Sequence, residues 1–218
     1  EAIQAGALGF SMSRTIVHRA VDGEVVPGTH SAEDEIFGIA RTLGELGEGI
    51  VELAPAGIQG EDMSAPDKEI DWMRRLSAET GRPVSFALVQ HDVAPKDWKR
   101  LLDLCEAAAK DGADLRPQVS ARPNTLLIGH QSFHPFSFKP TYMKMAELPL
   151  AERVAKLRDP AVRRQILAED SYYAVPQMKV VIDMIAKGID KIFRLGTPPN
   201  YEPAPEESLE AMAKAAGR

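Results

Sequence analysis

Short apolar runs alternate with amphipathic stretches through the first half of the chain, and this alternation limits the fold more than any other feature. Ala7 to Met12 is too short for an ordinary helix and predicts a buried strand. Ser31 predicts a helix N-cap, followed by Asp34 and Glu35 and then by Ile36, Phe37, Ile39, Ala40, Leu43 and Leu46 at helical spacing. Gly47 and Gly49 end that helix, and Ile50 to Leu53 predicts the second strand. After a loop from Ala54 to Ala65, Pro66 starts a second helix that turns Ile70, Met73 and Leu76 inward and closes at Gly81. Pro83 to Gln90 is the clearest strand, and its near-continuous hydrophobicity predicts a parallel sheet covered on both faces. A third helix, from about Pro95 to Lys110, is expected to bury Trp98, Leu101, Leu102, Cys105 and Ala109. Asp111-Gly112 breaks it, and Leu115 to Ala121 predicts a fourth strand.

Repeated βα units of this size imply a parallel α/β fold, either a barrel or an open sheet. No glycine-rich phosphate loop follows any of the strands, and neither G-x-G-x-x-G nor a Walker sequence occurs, which favours the barrel. The alternation stops after Arg122. The stretch 123–140 is rich in aromatics, His and Pro, and helical patterns follow from Leu150 to Leu157 and from Asp159 to Asp170. Met178 to Ile192 fits helix or strand, and a turn-rich segment, Thr197 to Pro203, leads to a final helix. The expected organisation is therefore 1–122 as central βα units, 123–176 as an aromatic and helical insertion or lid, and 177–218 as a return segment. The chain starts at Glu1, without Met, and runs straight into what reads as the last turn of a helix ending on Gly6; it is expected to be an internal piece of a longer protein.

Composition narrows the partners. With 26 basic and 32 acidic residues the net charge is −6, and there is no basic patch, so nucleic acid is a poor partner. No apolar run is long enough to cross a membrane. The lone Cys105 excludes an internal disulfide and, in an apolar helical register, reads as a buried structural thiol; a reducing, cytoplasmic setting fits.

Polar residues collect where parallel strands should end. Ser11, Ser13, Glu52 and Gln90, and Ser120 with Arg122, would converge on one rim. Glu52 suits a general base or water-orienting group, or else a carboxylate held by a neighbouring arginine. Arg14 and Arg122 suit a bidentate clamp on a substrate carboxylate. His18 shares a loop with Arg14. Equally, Ser11, Ser13 and Arg14 suit the plain task of satisfying nearby backbone. The five histidines offer no H-x-H or H-E-x-x-H pair for a metal, and no Ser/His/Asp triad can be assigned. His91 directly follows the third strand, and His130 and His134 sit among Phe133, Phe136 and Phe138, as aromatic packing or as a substrate wall.

Several motifs resemble the amidohydrolase-superfamily proteins labelled N-acyl-D-amino-acid deacylases. They include Ala5 to Thr15, His18-Arg19, Asp22-Gly23, Val26 to Thr29, Gly81 to Gln90, Arg116 to Pro123 and Ser132 to Phe138. Leu148 to Val154, Leu157 to Pro160 and Pro198 to Pro203 continue the series across nearly all 218 residues. The resemblance implies a partial TIM-type (β/α)8 barrel, about strands four to seven, with a mainly helical insertion. It also implies a zinc-dependent hydrolase cleaving the C–N amide bond of an N-acyl (D-)amino acid or similar small amide. The family's H-x-H pair and catalytic aspartate are absent here. Its strand-end histidines are replaced by Val51-Glu52-Leu53 and by Val89-Gln90, with His91 one residue late. The zinc of a full-length parent would thus take most of its ligands from outside this chain. The chain would hold substrate through Ser11, Ser13, Arg14, His18, Glu52, Gln90 and Arg122, and would be inactive by itself. A non-catalytic, barrel-derived protein binding a small ligand is the alternative.

Overall fold

The computed structural model describes residues 1–20, 24–58, 60–121, 125–173 and 176–217. They form two compact units, Glu1–Thr125 and Leu126–Arg218.

The first unit is α/β. Four strands, β1 (Gly9–Ser13), β2 (Ile50–Ala54), β3 (Val84–Leu88) and β4 (Leu115–Val119), form one parallel sheet in the order β1-β2-β3-β4. The connecting helices are α1 (Glu33–Leu46), α2 (Ala65–Thr80) and α3 (Asp97–Lys110). Parallel crossovers share one hand, so a sheet whose strands follow in sequence order places every connecting helix on the same side. The register shows which side. Phe10, Val51, Val84 and Leu115 lie abreast, and Met12, Leu53 and Phe86 form the next row. These residues share a single apolar cluster with Ile36, Phe37, Ala40 and Leu43 of α1, Ile70, Trp72, Met73 and Leu76 of α2, and Cys105 of α3. Within this unit the helices therefore cover one face of the sheet, where the continuous apolar run of β3 predicts two. Ser85 and Ala87 are the small residues hidden in that run, and by strand alternation they face the other way.

Local chemistry sets the helix ends. The predicted cap at Ser31 is not used: α1 has Ala32 at its N-cap without a side-chain bond. Glu33, Asp34 and Glu35 in its first turn complement the helix dipole instead. Gly47 and Gly81 end α1 and α2 in the left-handed region, at φ 69° and 65°, where residues with a Cβ are strained. The helix α3 starts at Asp97, two residues later than expected, so Trp98 lies in its first turn and is 38% exposed. Its inward stripe is Leu101, Cys105 and Ala108, and Ala109 is exposed. Burial pushes the Cys105 thiol up to about 11, which keeps it protonated and unreactive at neutral pH.

The second unit is helical, with α4 (Pro140–Met143), α5 (Leu150–Arg158), α6 (Pro160–Ala168), α7 (Pro176–Lys187) and α8 (Leu209–Ala215). The ambiguous segment after Met178 is thus helix through Lys187. Asp159 caps α6 by accepting from the Ala161 amide, and Ser208 caps α8 by accepting from the Ala211 amide. Tyr142, Met145 and Ile166 form a small core, with Leu148, Leu157 and Val162 against it. No helix of the described residues is long and apolar enough to cross a membrane.

Candidate functional site

The face of the sheet opposite the helices carries the candidate site. Ser11, Glu52, Ser85 and Arg116 lie abreast across all four strands. Ser13 pairs with Ala54, and Ala87 with Gln118, one step toward the carboxyl ends. In a parallel sheet, residues in register point to the same side, so this row is a polar stripe across the face away from the helices. Ser11, Glu52 and Arg116 are exposed. Arg116 makes a two-bond ion pair with Asp114, at 2.9 and 2.7 Å, which lowers the Asp114 carboxyl from its ordinary value. Glu52, on an inner strand between two hydroxyls, has no hydrogen bond or ion pair among the described residues.

The sequence-predicted site residues divide according to strand parity. Ser11, Ser13 and Glu52 share the open face. His18 joins them, because its Nδ1 lies 2.7 Å from the Ser13 hydroxyl. Arg14 does not, since one residue past Ser13 it faces the helices. Its Nε donates to both Glu69 carboxylate oxygens at 3.0 Å, its Nη1 donates to the Ser31 carbonyl at 2.8 Å, and its guanidinium lies 5.5 Å from the Trp72 ring centre. Gln90 donates to the Pro95 carbonyl at 3.0 Å, closing the turn before α3. Arg122 lies outside the described residues. The Nδ1 of His91 accepts from the Ala94 amide at 3.3 Å. Sequence reasoning missed Ser85 and Arg116, which only pairing register reveals.

The loop after β2 is built around a buried carboxylate. Glu61 accepts from the Thr15 hydroxyl at 2.7 Å and from the Gly57 amide at 3.0 Å, tying the ends of β1 and β2 together at the rim.

Zinc is the metal the resemblance implies, and it takes sets of thiolate, imidazole and carboxylate ligands. Among the described residues no group of three or more His, Cys, Asp or Glu could hold a metal ion. The open face offers one carboxylate, hydroxyls and a guanidinium. These residues do not make a zinc centre.

A second polar cluster belongs to the Leu126–Arg218 unit. His130, His134 and Tyr142 pack ring on ring, with His134 edge-on to Tyr142 at 4.3 Å and to His130 at 4.7 Å. Burial, with His130 and Arg153 nearby, lowers His134 to about 4. The unfolded chain takes up that proton near pH 6.5 and the folded chain only near 4, so the unfolded state binds more protons between the two. Stability present above pH 6.5 is therefore lost as the pH falls through this window, by about 3 kcal/mol in all. Denaturant unfolding of this unit, followed by circular dichroism at pH 7 and pH 4.5, is expected to show the loss, and a His134→Gln variant should flatten it. An unchanged pH dependence in that variant would assign the effect to other groups.

The same unit holds an open cleft lined by Phe136, Lys139, Leu167, Tyr173, Lys179 and Asp183, among others. None of the predicted site residues lines it.

No protein-family profile, curated protein or solved structure matches this chain.

Proposed function

We propose that the first unit supplies four consecutive strands of an amidohydrolase-type (β/α)8 barrel, and that its open face holds a small amide such as an N-acyl (D-)amino acid for hydrolysis of the C–N bond. The observation that carries this reading is the unpaired, exposed Glu52 carboxylate, flanked by Ser11 and Ser85 on the face away from the helices. Barrels carry their helices outside, and a sheet with sequential strands and helices on one face is consistent with that arrangement. Both β1 and β4 are edge strands among the described residues, as strands awaiting barrel neighbours would be. The ordered motifs of the sequence support the same reading.

In this proposal the chain's residues bind and orient. Serine hydroxyls on the open face donate to the amide carbonyl or the acyl amino acid's carboxylate, and Glu52 accepts a hydrogen bond from the amide N–H or takes the proton of an attacking water and passes it to the departing amine. The test uses the natural full-length protein, assayed for zinc and for hydrolysis of a panel of N-acyl-D-amino acids. A Glu52→Gln variant is expected to lower kcat/KM by about a hundredfold, the scale of a lost general base. A metal-free, inactive parent would overturn the proposal. Turnover by the 218-residue chain alone would overturn the expectation that zinc ligands come from elsewhere.

The alternative, a barrel-derived protein that binds a small ligand without catalysis, is favoured by one observation: the open face offers hydrogen-bonding groups without a zinc ligand set. Calorimetric binding of an N-acyl amino acid by the full-length protein, without turnover, would select it.

A further inference from the structure

The His130–Tyr142 cluster contains more hydrogen-bond donors than acceptors. The Phe136 amide donates to His134 Nδ1 at 3.1 Å, so in the neutral ring the proton sits on Nε2. That Nε2 is buried and has no partner, and His134 as a whole is 4% exposed. The Nε of Arg153 is likewise buried without a partner. The same guanidinium spends Nη1 on the His130 carbonyl at 2.7 Å and, more loosely, on the Tyr142 hydroxyl at 3.4 Å. The Tyr142 hydroxyl also lies 3.3 Å from His130 Nδ1. Arg153 forms no ion pair among the described residues, whereas Lys179 in the nearby cleft is paired with Asp183. Two buried, unpartnered N–H groups beside an uncompensated cation are costly, each by the desolvation penalty of a lost bond. Such groups in a native structure call for an acceptor that the chain itself does not supply.

We propose that Arg153, His134 and Tyr142 form a binding site for a small organic carboxylate, entered from the exposed His130 side. A carboxylate has only acceptors, carries the opposite charge to Arg153 and is planar, which suits both the guanidinium fork and the flat aromatic walls. The His130 and Tyr142 rings are stacked, with centroids 5.7 Å apart and planes 24° from parallel, and His130 is the exposed member of the pair. A tetrahedral dianion would want more donors than these three side chains present. This site stands apart from the proposed amide chemistry, since it uses none of the open-face residues.

The test is a titration of the full chain at pH 7 with sodium acetate, against sodium chloride at equal ionic strength and against inorganic phosphate. Proton NMR of the His130 and His134 ring carbons reads the result. Acetate is expected to shift both signals saturably in the millimolar range, chloride not at all, and phosphate at least fivefold more weakly. Arg153→Gln should abolish the saturable shift. Arg153→Lys, which keeps the charge but loses the fork, should weaken it roughly tenfold and guards against a folding defect in the first variant. Shifts that are absent, linear in salt, equal for phosphate or unchanged in folded Arg153→Gln would overturn the proposal.

Discussion

Glu69→Ala is expected to destabilise the first unit by about 3–5 kcal/mol, the usual effect of removing one partner from a buried ion pair. The Glu69 and Arg14 side chains are only 4% and 15% exposed, so neither has bulk water to fall back on. Glu69 accepts twice from Arg14 Nε and once from the Ala56 amide at 3.3 Å, which makes it the joint between α2, the end of β1 and the loop after β2. With the carboxylate gone, the guanidinium keeps the Ser31 carbonyl and the Trp72 ring but carries an uncompensated buried charge. Domains of this size are stable by roughly 5–15 kcal/mol, so the loss brings the unit near its unfolding threshold. Trp72 is buried directly beneath Arg14, and its fluorescence during denaturant unfolding reads the effect. The doubly substituted Arg14→Met/Glu69→Met chain should be less damaged than Glu69→Ala, because no charge is left behind. A Glu69→Ala loss below about 1 kcal/mol would show that water reaches Arg14 and that the joint is not electrostatic.

The same residue shows how far the sequence could be read. The strand-and-helix alternation places β1 to β4 and α1 to α3 within a few residues, because strand length, glycine stops and apolar spacing are local properties. Ser11, Ser13 and Glu52 on one face follow from odd and even positions along short strands. Arg14 also lies at a strand end, yet it is one residue out of phase with Ser13, and a single step turns a side chain to the opposite face. Its partner Glu69 is distant in sequence, and no local pattern announces that pairing. Ser85 escaped for a related reason: in Val84-Ser-Phe-Ala-Leu88 the outward residues are so small that the run reads as uniformly apolar. Trp98 misleads in the opposite sense, since its apolar character suggests burial while the helix start at Asp97 turns it outward. In the second unit the aromatic density around His130 and His134 was visible, but the orphaned nitrogens depend on rotamers and contacts that composition does not encode.

Gly9→Ala is expected to cost at least about 3 kcal/mol, the upper end for forcing extra atoms into a packed interior. A Cβ at position 9 would lie 1.9 Å from the Ile50 carbonyl oxygen, 2.8 Å from its nitrogen and 2.9 Å from its carbonyl carbon. These are backbone atoms of the neighbouring strand, so no side-chain rotation relieves the clash. Relief requires β1 to move away from β2 at the Gly9–Ile50 pair, where the Ile50 amide donates to the Leu8 carbonyl at 3.2 Å. Each ladder bond weakened adds about 1 kcal/mol to the loss. The matched control is Gly38→Ala in α1, where an added Cβ meets nothing within 4 Å and a helix interior prefers alanine by about 1 kcal/mol. Denaturant midpoints followed by Trp72 fluorescence should thus move in opposite directions for the two variants. The functional consequence follows from the register, because Ser11 and Ser13 ride on β1 opposite Glu52 and Ala54. Under the proposed function, a Gly9→Ala protein that still folds should lose affinity for an N-acyl amino acid, more than Gly38→Ala does. A Gly9→Ala midpoint equal to that of the unaltered chain would mean that β1 does not approach β2 this closely, and the polar stripe across Ser11 and Glu52 would lose its geometric basis.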